Sequence, residues 1–134
     1  MDEMTIGFLF GTATTLIGGL AAHFLGKDIA RRNEFNKAAK EFISAFQEEL
    51  TKLRLESPSV SIYDIIYPVR IKHGQAYAFF CRHLRGGELE QFRRAWKEYY
   101  VLTPTHPGNE EDSDEDIILL VEKIENLFKF AKYK

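Results

Sequence analysis

The stretch TIGFLFGTATTLIGGLAAHFLG, residues 5–26, runs for 22 positions without a formal charge. As a helix rising 1.5 Å per residue it would reach about 33 Å, close to the hydrocarbon thickness of a bilayer. Three readings compete: a transmembrane anchor, a secretory signal peptide and a buried core helix. A signal peptide needs a basic leading region, and Met1-Asp2-Glu3-Met4 is acidic; Ala21 and Ala22 make a poor cleavage site. A domain of this size rarely needs so long an uncharged stretch in its core. The residues are therefore expected to form a single transmembrane helix.

Flanking charge orients that helix. No Lys or Arg precedes Lys27; Lys27, Arg31 and Arg32 follow the stretch, offset only by Asp28. The positive flank stays in the cytoplasm, so the N-terminus is expected outside and residues 27–134 inside. The organisation is then a transmembrane anchor, residues 1–26, and a cytoplasmic domain, residues 27–134. The lone Cys81 excludes an intramolecular disulfide and suits a reducing compartment.

On a helical wheel Gly7, Gly11, Thr14, Thr15, Gly18, Ala22 and Gly26 fall within about 120° of one another. Ile6, Leu9, Leu16, Ile17, Leu20 and Phe24 fall opposite. A face of small residues lets two backbones approach closely in lipid. Gly7, Gly11, Thr15, Gly18, Ala22 and Gly26 are accordingly the candidate helix–helix interface, with a second copy or another membrane protein as partner. His23 lies within about a turn of the inner boundary, where it reaches headgroups or water rather than marking a proton path.

The rest of the 134 residues reads as one all-α unit. Hydrophobic residues make up 45% and charged residues 28%, which excludes a disordered chain. The spacing Phe35, Ala39, Phe42, Phe46, Leu50, Leu53 predicts a helix over 28–56, ended by Ser57-Pro58-Ser59. Residues 60–67 have strong β propensity, yet Ser61 and Asp64 suit an N-cap, so a short helix is expected, with Pro68 at a kink or first turn. A helix over 69–85 carries Val69, His73, Ala76, Phe80 and Leu84 on one stripe. Gly86-Gly87 should break it, and a helix over 88–100 follows, with Leu89, Phe92, Trp96 and Tyr99 or Tyr100 inward. After a loop over 103–112, Ser113 caps a last helix whose inward face is Ile117, Leu120, Val121, Ile124, Leu127, Phe128 and Ala131. A small helical bundle closes these faces.

The pieces Arg31-Arg32-Asn33-Glu34-Phe35-Asn36, His73 through Leu84, and Phe92-Arg93-Arg94-Ala95-Trp96-Lys97-Glu98-Tyr99 resemble small bacterial single-pass membrane proteins with a helical cytoplasmic tail. The resemblance covers roughly a third of the chain and implies a bacterial inner-membrane location. It carries no activity and no site residues.

Few residues suggest chemistry. His73, Cys81, His83 and His106 are the metal-ligand candidates, but Cys81-x-His83 places its two side chains on different helix faces, and His73 and His83 also diverge. Cys81 with His73 or His83 is the one nameable nucleophile pair, and no motif supports it. Gly86-Gly87 lacks the phosphate-loop and dinucleotide patterns. No catalytic residue, metal ligand or cofactor is assigned.

Charge is more telling. Residues 70–97 carry Arg70, Lys72, Arg82, Arg85, Arg93, Arg94 and Lys97 against two glutamates, a net +5; residues 110–116 carry a net −6. The basic hairpin could rest on anionic lipid headgroups, bind an acidic partner, or be neutralised by the acidic loop. Nucleic acid is not expected, since no recognised module is present and the overall net charge is −2. The expected function is thus a membrane-anchored, non-catalytic interaction or regulatory module of a bacterial inner-membrane assembly. A small oligomeric pore- or toxin-type protein is the alternative, and an enzyme of unknown type the third.

Overall fold

The computed structural model describes residues 3–55, 61–107 and 112–134, with side chains from residue 19 onward. It is all-α; among the described residues there is no strand. The chain divides into two compact units, Met1–Glu34 and Phe35–Lys134.

The first helix, α1, spans Glu3–Leu55, and its hydrogen bonding continues through Gly26 without a break. In the first unit every residue from 19 to 34 is exposed. Leu20, Phe24, Leu25 and Ile29 are among them. A side chain added at Gly19 or Gly26 would meet nothing. Among the described residues no helix is long and apolar enough to cross a membrane. Of the small-residue face, Ala22 and Gly26 are exposed. Gly7, Gly11, Thr15 and Gly18 lie outside the residues whose side chains are described.

The second unit is a bundle built around the later part of α1. Phe35, Ala39, Phe42, Phe46, Leu50 and Leu53 are all buried, as their spacing predicts. Phe42 is the hub. Its ring stacks on Phe80 at 5.1 Å and meets Phe46, Phe92 and Phe128 at 5.1, 5.4 and 6.4 Å between centroids. Such offset and edge-on pairs add to the burial of large apolar area.

α2, Ile62–Ile66, is a single turn started twice over. Ser61 accepts from the Asp64 N–H, and Asp112 accepts from the Ile62 N–H at 2.7 Å. A 3₁₀ turn over Tyr67–Val69 with Pro68 in its first turn leads into α3, Arg70–Cys81. α3 stops four residues earlier than the periodicity predicts. The N–H groups of Arg82, His83 and Leu84 bond three residues back, which tightens the end and tucks Leu84 into the core.

The glycine pair opens a helix instead of separating two. α4 spans Gly86–Tyr100, and Gly86 holds φ +59°, a left-handed value that a Cβ disfavours. Phe92 and Tyr99 are its buried residues; Tyr100 is exposed. α5, Asp114–Phe128, starts at Ser113, whose hydroxyl accepts from the Asp116 N–H at 3.2 Å. It buries Ile117, Leu120, Ile124 and Leu127 and runs into a 3₁₀ turn that buries Ala131. The amide of Asn36 exchanges two hydrogen bonds with the Lys134 backbone, which ties the end of the chain to α1.

Candidate functional site

Glu49 lies three residues past Phe46 and four before Leu53, on the buried face of α1, and is 2% exposed. His73 of α3 and Tyr99 of α4 meet it from the other side, each 1% exposed. The Lys72 ammonium donates to Glu49 Oε1 at 2.7 Å. His73 Nδ1 lies 2.9 Å from the Tyr99 hydroxyl, and its Nε2 faces Glu49 Oε1 at 3.7 Å. The Phe46 ring stacks on the imidazole at 4.0 Å.

Burial sets the protonation states. It pushes His73 down to about 4, against the pull of the Glu49 charge, so the imidazole is neutral at neutral pH. Burial also lifts the Glu49 carboxyl, but the Lys72 hydrogen bond and the neighbouring positive charge outweigh it. The carboxyl is held below its ordinary 4.5 and stays ionised. Burial, with the Glu49 charge, raises the Tyr99 hydroxyl well above its ordinary value. A neutral imidazole protonated on Nε2 aims that N–H at the carboxylate and lets Nδ1 accept from Tyr99. Glu49, His73 and Tyr99 are shut off from solvent, and the cluster joins α1, α3 and α4.

The candidate nucleophile pair is not assembled. His73 is committed to Tyr99, and His83 packs its ring against Phe79 and Phe80. Half-buried Cys81 neighbours the Tyr77 hydroxyl. Among the described residues no three metal-ligating side chains converge. An apolar groove of about 430 Å³ between the end of α1 and α5, lined by Leu53, Ile117, Ile118 and Val121, has the Arg54–Glu125 ion pair among its polar groups.

The seven basic residues of the α3–α4 hairpin do not form one surface. Lys72 turns back onto Glu49. Arg94 lies toward α5, in a groove with Asn126, Lys129 and Phe130. Arg82 and Arg85 are exposed at the turn between the two helices. Arg70 and Arg93 flank a row of aromatic rings, and Lys97 follows Arg93 by one turn on α4. Tyr77 stacks on Trp96 at 4.4 Å and 9°, and Trp96 lies 5.9 Å from Tyr100. The Arg70 guanidinium sits over the Tyr100 ring at 4.9 Å. Arg93 neighbours the Tyr77 hydroxyl, which burial and Cys81 together push up to about 12.

Of the acidic segment, Asp112 accepts from the Ile62 backbone, and no ion pair among the described residues joins Asp112, Glu115 or Asp116 to the hairpin. Glu110 and Glu111 lie outside the described residues. Two features escape a reading of periodicity: Glu49, which it passes over although it occupies an inward position, and the stacked row across two helices. Comparison with known protein families, with curated proteins and with solved structures finds no match.

Proposed function

We propose that the chain is a membrane-anchored, non-catalytic interaction module of a bacterial inner-membrane assembly. Residues 5–26 hold it in the bilayer, and the bundle works on the cytoplasmic side, where anchoring raises its effective concentration near membrane partners. The observation that carries this reading is the exposure of Leu20, Phe24 and Leu25 within the uncharged stretch, and of Ile29 one turn past Leu25 on α1. Large apolar groups in a row, uncovered by their own chain, call for lipid or another helix. The resemblance to bacterial single-pass proteins supports the same location.

The test is recovery of the full chain from cells. It should sediment with membranes, resist alkaline extraction and need detergent for release. Mass determination of the detergent-purified complex should then give a homo-oligomer or a stoichiometric membrane partner. Recovery without detergent would overturn the anchor, and a lone monomer would overturn association through the helix.

A further inference from the structure

The outer face of the α3–α4 hairpin combines two kinds of side chain. Arg70, Arg93 and Lys97 supply cations against Glu90, which lies one turn before Arg93 on α4, so the edge keeps a net positive charge. Tyr77, Trp96 and Tyr100 supply partly exposed rings. At the Arg70 end, Tyr67 and Ile71 lie one turn apart and are both exposed, Ile71 to 77%. Gly74, between Arg70 and Tyr77 along α3, leaves open space where a side chain would stand. We propose that this face is a seat for an anionic phospholipid bilayer: the cations meet headgroup phosphates, and Ile71, Tyr67, Trp96 and Tyr100 enter the interfacial layer.

Charge complementarity limits the occupant to an anionic one, and ring geometry chooses among the anionic ones. A single-stranded nucleic acid needs free ring faces on which bases stack. Here one face of each ring is already taken: Tyr77 and Trp96 cover each other, and Arg70 covers Tyr100. Each ring joins an apolar body to a polar tip, which suits Trp and Tyr at a membrane surface. An exposed isoleucine beside cations fits a lipid surface and adds nothing to phosphate recognition on nucleic acid. Basic residues near an anionic bilayer each strengthen binding about fivefold.

The inference takes from the anchor only the nearness of the bilayer. Trp96 is the single tryptophan of the chain, so its emission reports this face directly. The full chain is placed in vesicles of phosphatidylcholine alone, or of phosphatidylcholine mixed with phosphatidylglycerol. Some of the lipid is brominated near the top of the acyl chains to quench a nearby indole. Quenching should be strong on the anionic vesicles, weak on the neutral ones, and reversed by salt. Arg93→Gln and Lys97→Gln should each weaken the anionic preference about fivefold, and Lys132→Gln, on the exposed far end of the chain, should leave it unchanged. Unchanged Trp96 emission in detergent shows that each variant is folded. Equal quenching on both vesicle types overturns the proposal. So does an equal loss in Lys132→Gln, or a Trp96 response to a single-stranded oligonucleotide with none to anionic lipid. If the chain is recovered from cells without detergent, the anchor fails alone: the same titration with preformed vesicles should still show quenching that depends on anionic lipid.

Discussion

Lys72 is the hinge of the buried polar cluster, because it is the one member with access to water. Its ammonium is half-exposed, whereas the Glu49 carboxylate it neutralises is not. Removing one partner of such a pair leaves a buried charge uncompensated, which costs roughly 3–5 kcal/mol when both are sealed. Half exposure of the lysine reduces this, and Lys72→Met should destabilise the bundle by about 2 kcal/mol. Adding Glu49→Gln to that variant should restore much of the loss, since a neutral amide no longer needs the ammonium; a thermal melt of the single and double variants checks both. His73 gives the cluster a pH signature. Its pKa is about 4 in the fold against an ordinary 6.5, so the folded chain binds fewer protons than the unfolded chain between those values. The stability it contributes is whole above pH 6.5 and is lost as the pH falls toward 4, by about 3 kcal/mol at the limit. Glu49, also held low, extends the loss below 4.5. Melting followed by Trp96 emission should show a decline beginning near pH 6.5, and His73→Gln should remove that upper part of the slope.

At the scale of the element, local chemistry decides where helices begin and end. Ser113 satisfies one of the orphan N–H groups of α5, and Ser113→Ala should cost about 1 kcal/mol. Gly86 starts α4 with a left-handed backbone, and Gly86→Ala should cost about the same through strain, although the added methyl has room. Thermal melts of the two single variants and the double should show nearly additive losses, because the two sites sit on different helices without a shared partner. Apolar spacing made most of this legible: the α1 stripe read from residue types is buried throughout, and the α5 stripe is buried except for half-buried Val121 and Phe128. What escaped was of another kind. Whether Gly86-Gly87 ends a helix or opens one depends on a backbone angle that glycine permits in either case. The choice of Tyr99 over Tyr100 for the core depends on which hydroxyl finds His73, a partner from another helix. Glu49 occupies an inward position that apolar periodicity passes over, and only its lysine and histidine neighbours explain a carboxylate there. The aromatic row across α3 and α4 follows from how the two helices pair, so neither sequence shows it alone.

At the scale of the whole molecule, the core of the second unit runs from Phe35 to Ala131, and the uncharged stretch 5–26 is the proposed anchor. A change at Leu16, the middle of that stretch, therefore separates anchoring from folding. An arginine at the centre of a spanning helix costs about 2.5–3.5 kcal/mol of insertion. The stretch has little to spare, because five glycines and four threonines dilute its apolar residues. Leu16→Arg should move much of the chain out of the alkaline-resistant membrane fraction, while the melt of the bundle stays within about 0.5 kcal/mol of the parent. Gly18→Leu keeps the stretch apolar but fills the small-residue face, so it should leave membrane retention intact and reduce the mass of the detergent-purified complex. The two substitutions act on different steps. If Leu16→Arg leaves retention unchanged, lipid is not what residues 5–26 require; if Gly18→Leu leaves the mass unchanged, the small face is not where the helices meet.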